Sequence, residues 1–187
     1  MAIHGVLGAL AVGILFPLGS ILMSVVPGPL ALWIHGLAQL FSLTMLIACV
    51  GMGIYLVMTF EIPRKDVEEK HLLKNHDTNY HPIMGLAVFF CLLVQPIFGI
   101  LHHSRFKKLK RRQIWSYFHI LNGWVSVTMG IINGALGLSL GPESAKIRRI
   151  YIGISAGMWG LWVLSAVWAE VRRRKGYTVS HAVAFNG

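Results

Sequence analysis

Apolar residues run in five blocks along the 187-residue chain, about Ile3 to Val25, Leu30 to Thr59, Pro82 to Leu101, Trp115 to Leu140 and Ile150 to Ala169. Each is close to or beyond the roughly 20 residues that a helix needs to cross a bilayer. The first begins almost at Met1 but lacks the basic n-region and small-residue cleavage site of a signal peptide, so it predicts a retained span. Pro27 and Pro29 around Gly28 break the helix and predict a tight turn. Between the second and third blocks lies a polar loop, Phe60 to Tyr80. The third block is closed by His102, His103 and SRFKKLKRRQ, the fourth by the short turn GPESAKIRR and the fifth by RRRK. The pattern predicts an all-α integral membrane helical bundle of five transmembrane helices. Residues 1–140 form a four-helix core, residues 141–170 supply a fifth, extra helix, and residues 171–187 form a cytoplasmic tail.

Composition supports the membrane reading: 55% of the residues are hydrophobic and 13% charged, with a mean hydropathy of +0.63, values that work against a soluble domain. The net charge of +10 does not point to nucleic acid, because the 17 Lys and Arg fall in short blocks between apolar runs. Their distribution sets an expected orientation. The side of the N-terminus holds Arg64, Lys65, Lys70, Lys74, Lys146, Arg148 and Arg149. The other side holds Arg105, Lys107, Lys108, Lys110, Arg111, Arg112 and the four basic residues Arg172 to Lys175, in two dense clusters at helix ends. The excess predicts an N-terminus outside or lumenal and a cytoplasmic C-terminus, in a plasma membrane or an endomembrane. Cys49 and Cys91, each in the middle of an apolar run, read as small buried hydrophobes rather than a disulfide or metal pair.

The histidines carry the candidate chemistry. An ionisable ring inside a membrane helix is costly and marks a site by default. His4, His35, His81 and His119 each fall near the start of one of the first four blocks. Because successive helices alternate in direction, His4 and His81 share the outer face while His35 and His119 share the inner one. Two facing imidazoles at one depth are what a haem iron held on both axial sides requires. Glycines at 5, 8, 13, 85, 123, 130, 134 and 137 offer either room for a macrocycle or close helix packing, and Gly130/Gly134 and Gly153/Gly157 also fit small-xxx-small packing. His71, His76 and His181 read as solvated, and the adjacent His102 and His103 as interfacial. Two stacked sites imply a wire across the membrane, with irons about 20 Å apart for a hydrocarbon core of about 30 Å.

The chain resembles the cytochrome b561 family, and especially the membrane core of its DOMON-linked members. The likeness is carried by His4-Gly5 with FPLGS at 16–20, His35 with Gln39, His81-Pro82 with Gly85 and Gln95, and RRQIWSYFHILNGW through Asn133 and Gly137. It covers the first four blocks, the fifth being the extra helix of that subgroup. The resemblance implies two b-type haems, one on His4 and His81 and one on His35 and His119. It also implies a transmembrane oxidoreductase of the ascorbate-dependent or ferric reductase type. A cytoplasmic reductant such as ascorbate would supply electrons, and a ferric chelate, monodehydroascorbate or an attached extracellular DOMON-type domain would accept them. No such domain precedes His4, which reads as a bare core or a piece of a longer protein. Lys107, Lys108, Arg111 and Arg112 ring the mouth of the inner site and are candidate contacts for an anionic substrate or for propionates, or else topology determinants facing lipid headgroups.

Two other classes fit parts of the pattern. A membrane di-metal hydroxylase or desaturase uses clustered histidines on one face, but here only His102-His103 is clustered and the other four divide between two faces. A non-redox transporter or assembly factor would use the histidines to sense protons or bind zinc. No inverted repeat with broken helices is legible to support it.

Overall fold

The computed structural model describes residues 2–59, 80–109, 111–141 and 144–185, with side chains to residue 175. The loop with His71 and His76 and the side chain of His181 lie outside the described residues. Five helices follow one another: α1 Ala2–Val25, α2 Leu30–Thr59, α3 Tyr80–Leu109, α4 Ile114–Leu140 and α5 Ala145–Phe185. All five are long and apolar enough to cross a membrane, and no strand occurs among the described residues. This is a multi-pass, all-helical membrane bundle.

The ends of the elements follow local chemistry. The turn between α1 and α2 rests on Gly28, whose φ of 73° lies in the left-handed region that suits glycine. α5 starts at Ala145, earlier than the apolar block, because the Ser144 hydroxyl accepts the Ile147 N–H at 3.3 Å. It also continues past Ala169. Glu170 pairs with Arg173 at 2.5 Å and Arg174 at 3.0 Å along the same helix, spacings that support a helix from within. The basic segment after Leu101 is likewise helical through Leu109.

Two helices are irregular beside a proline. In α1, residues Ala11–Leu15 form one π-turn, and the Phe16 N–H reaches back five residues to the Ala11 carbonyl. Pro17 follows directly; it has no N–H and its ring crowds the turn before it. In α3 the helix is interrupted at Val94, between Tyr80–Leu93 and Gln95–Leu109, just before Pro96.

α1 to α4 pack around Ala11, Val12, Phe16, Leu43, Leu46, Val88, Leu92 and Val127, and α5 adds Trp162. The π-turn sits at the crossing, touching α2, α4 and α5, with Ala11, Val12 and Gly13 buried. α5 docks through Trp162 stacked on Trp124 (centroids 4.0 Å, 7° between planes). It is further held by the Tyr151 hydroxyl donating to the Ile131 carbonyl at 2.9 Å and Trp159 Nε1 donating to Thr128 at 3.0 Å. The periphery is apolar, as a lipid-facing surface must be: Trp33, Met58 and Leu164 are 70%, 81% and 67% exposed. Cys49 is buried, as its sequence context suggests. Cys91 is exposed on the outside of the bundle instead, because its position on α3 faces away from the other helices.

Candidate functional site

The structure brings the four span histidines together in two pairs, one at each end of the bundle. The ring centres of His4 and His81 are 6.1 Å apart with planes at 86°, and those of His35 and His119 are 6.3 Å apart at 82°. Two imidazoles sharing one metal ion need about 2 Å for each metal–nitrogen bond and about 1 Å from nitrogen to ring centre, roughly 6 Å in all. Both pairs have that separation. Among the described residues no three His, Cys, Asp or Glu side chains converge on a single point, so the donors come in twos.

What holds each ring decides which nitrogen is free. His4 Nδ1 donates to the Cys49 carbonyl at 2.9 Å, and His35 Nδ1 to the Gly19 carbonyl at 3.0 Å. His81 Nδ1 donates to Asn133 through both the carbonyl (3.0 Å) and Oδ1 (3.1 Å). With the Nδ1 proton engaged, the remaining lone pair is on Nε2, the tautomer of a metal-ligating histidine. His119 Nδ1 is buried and makes no close hydrogen bond, and the backbone group its ring faces is that of Gln95, fourteen residues after His81 on α3.

These partners follow a regular spacing. Cys49 lies fourteen residues after His35 on α2, and Asn133 fourteen after His119 on α4. A histidine at one end of a helix and the acceptor for the opposite pair are thus about 21 Å apart along the axis. On α1 the interval from His4 to Gly19 is fifteen. The π-turn accounts for the extra residue, because its wider turn brings fifteen residues to nearly the phase that fourteen reach in a regular helix. Glycines follow eighteen residues after a histidine, five full turns on, at Gly53 on α2, Gly99 on α3 and Gly137 on α4. Each faces a ring of another helix. A Cβ at Gly53 would fall 2.9 Å from His4, one at Gly137 2.6 Å from His81 and one at Gly99 3.4 Å from His119. The two closest approaches leave no room for a side chain.

The other glycines divide. Gly8, Gly13, Gly85, Gly123, Gly130 and Gly134 press against Cys49, Ser155, Asn133, Gln95, Val12 and Tyr151, which is close packing, whereas Gly5, Gly153 and Gly157 face open space. The small-xxx-small reading therefore applies to Gly130/Gly134 and not, within this chain, to Gly153/Gly157. Gly53, Gly99 and the carbonyl of Cys49 were not among the residues singled out from sequence. The fourteen- and eighteen-residue intervals were the available signal.

At the end of the second pair, His102 stacks on His119 (centroids 6.1 Å, 12°) and its Nδ1 is hydrogen-bonded to the buried Ser116 hydroxyl at 2.6 Å. His102 thus touches the site rather than only the membrane interface; His103 is exposed. Lys107 and Lys108 are exposed in the last turn of α3, with Arg111 exposed beyond it. Arg112 instead forms an ion pair with Glu170 of α5 at 3.4 Å. Of the four predicted anion contacts it is thus tied to the fifth helix.

No family model matches the chain, and no solved structure matches it. By sequence it is similar to a cytochrome b561 and DOMON domain-containing protein of Arabidopsis thaliana, 27% identical over 179 residues. The match covers 92% of this chain and 40% of that relative, so the chain spans two fifths of the relative's length.

Proposed function

We propose that this chain carries electrons across a membrane on two b-type haems, one held by His4 and His81 and the other by His35 and His119. What supports the reading above all is the pair geometry. Two sets of rings stand 6.1 and 6.3 Å apart, at levels about 21 Å apart along the bundle and within the roughly 30 Å of a hydrocarbon core. The likeness to a protein named cytochrome b561 points the same way. A haem held by two histidines would supply one-electron chemistry at each level. The residues of this chain do the remaining work. Backbone carbonyls fix the ring tautomers, Gly53 and Gly137 give the rings space, and the apolar core of Phe16, Leu46, Leu92 and Val127 keeps water from between the two levels.

The donor side in this reading is the end of His35 and His119, taken as the cytoplasmic one because the denser basic clusters lie there. Lys107, Lys108 and Arg111 there would meet an anionic reductant such as ascorbate. The acceptor beyond His4 and His81 would be a ferric chelate, monodehydroascorbate or a partner redox domain of the DOMON type. The test is a dithionite-reduced minus oxidised spectrum of the purified chain with a haemochrome count. Sharp low-spin b-type bands and two haems per chain are expected. A colourless protein, made with haem in supply, would sink the proposal.

A further inference from the structure

The ring of His102 is fixed on three sides. Gln95, Gly99 and His102 follow one another on α3 at intervals of four and three residues, which puts them on one face. All three meet His119: the Gln95 amide nitrogen donates to its backbone carbonyl at 3.0 Å, a Cβ at Gly99 would fall 3.4 Å from its ring, and the His102 ring lies nearly parallel to it at 6.1 Å. Phe106, one turn further on, is the second neighbour, its ring centre 5.9 Å from that of His102. The third is Ser116, three residues before His119 and so about 4.5 Å nearer the end of the bundle.

Ser116 decides which nitrogen of His102 bears the proton. Its oxygen, in a residue only 1% exposed, accepts the Gln113 N–H at 3.2 Å and lies 2.6 Å from His102 Nδ1. A buried hydroxyl is seldom left without an acceptor, and among the described residues only His102 Nδ1 can take this proton. Nε2 of the neutral ring is then the protonated nitrogen. That is the opposite tautomer from His4, His35 and His81, whose Nδ1 atoms donate and whose Nε2 lone pairs are left for a metal. His102 is thus a hydrogen-bond donor at this end and no rival ligand. Its Nε2 has no partner among the described residues and, unlike His119 Nδ1, is not enclosed. Arg112 is near enough for its charge to act on the ring.

Resting on the haem reading above, we propose that the His102 Nε2–H binds an oxyanion at the mouth of the second pair, either a carboxylate of the haem itself or the ionised reductant that delivers electrons there. Both present an oxygen anion, which an N–H beside a guanidinium suits. No electron or proton passes through His102 in this role; it holds the anion in place.

The test compares the wild-type chain with His102→Asn and His102→Gln by haem count, by spectroelectrochemical midpoints and by the dependence of the haem reduction rate on ascorbate concentration, the second haem being identified by its loss in His35→Ala. An asparagine amide reaches only as far as Nδ1, so it can keep Ser116 but offers nothing at the place of Nε2, whereas a glutamine amide carries an N–H to that place. The asparagine chain is expected to change and the glutamine chain to stay near wild type. If the anion is the reductant, half-saturating ascorbate rises about tenfold in the asparagine chain, the effect of one lost hydrogen bond to a charged group, with both midpoints unmoved. If it is a haem carboxylate, the second midpoint falls, because an unpartnered carboxylate favours the oxidised iron, or the second haem is lost, while the first midpoint stays. His102→Leu takes the place of an asparagine chain that does not fold, under the same criteria. An asparagine chain equal to wild type in all three measurements overturns the proposal. So does a change that the glutamine chain shares, since the packing of the ring on His119 and not its N–H would then be what counts. Either result in a chain whose wild type holds two haems defeats this inference alone; a wild-type chain without haem defeats the underlying reading as well.

Discussion

Inside a bilayer an imidazole with an unengaged N–H is expensive, so what each Nδ1 donates to controls both the cost of burial and the direction in which Nε2 points. Three of the four rings donate to backbone carbonyls. An alanine at His35 or His119 should then remove one haem and leave the other, because each pair takes its rings from a different pair of helices: α1 with α3, or α2 with α4. Haem per chain measured on purified His35→Ala or His119→Ala should fall by about half. Both haems lost, or both kept, in a folded variant would break the pairing. The histidines were legible in the sequence because an ionisable residue stands out in an apolar run. Their acceptors were not, because a carbonyl belongs to every residue and Cys49 or Gly19 gives no chemical sign of offering one. His102 was read as interfacial for a related reason: only the packing of α3 on α4 shows its ring against His119.

The regularity that organises the site belongs to the helices. α2, α3 and α4 repeat the interval of eighteen from histidine to glycine, and α1 keeps its phase through a π-turn ahead of Pro17. α5 stands apart from this scheme. It contributes no span histidine and docks on α4 and the π-turn through Trp162, Tyr151 and Ser155, with Gly13 and Gly134 as the points of closest approach. A Cβ at Gly134 would collide with the Tyr151 hydroxyl. Gly134→Val should therefore lower the thermal midpoint of the detergent-solubilised protein, in line with the roughly 1–3 kcal/mol typical of overpacking. Haem content should stay at the wild-type level, since both pairs lie on α1 to α4. Loss of haem in that variant would mean that α5 supports the site directly. The five helices could be read from length and hydropathy, whereas the early start of α5 and its continuation past Ala169 could not. Hydropathy marks where lipid lies, while Ser144 and the pairs of Glu170 with Arg173 and Arg174 extend the helix into polar sequence.

For the molecule as a whole, the basic residues of the sequence are spread unevenly between the two sides, and at the end of His35 and His119 Arg112 is paired with Glu170 of α5. In the proposed orientation, positive-inside bias assigns that end to the cytoplasm. A reporter protein active only in the cytoplasm, fused after Gly187, should be active; an inactive fusion in a folded, haem-loaded protein would reverse the orientation and with it the donor side. The amino-acid sequence by itself determined the all-helical membrane class, the five spans and the one-histidine-per-helix pattern, because transfer of apolar and ionisable groups into lipid depends on residue type and spacing. The tertiary structure decided the ring separations, the acceptors that choose each tautomer and the glycines that clear space. Those depend on the rotation of one helix against another, where a single π-turn brings a carbonyl into reach, and no residue type records that rotation.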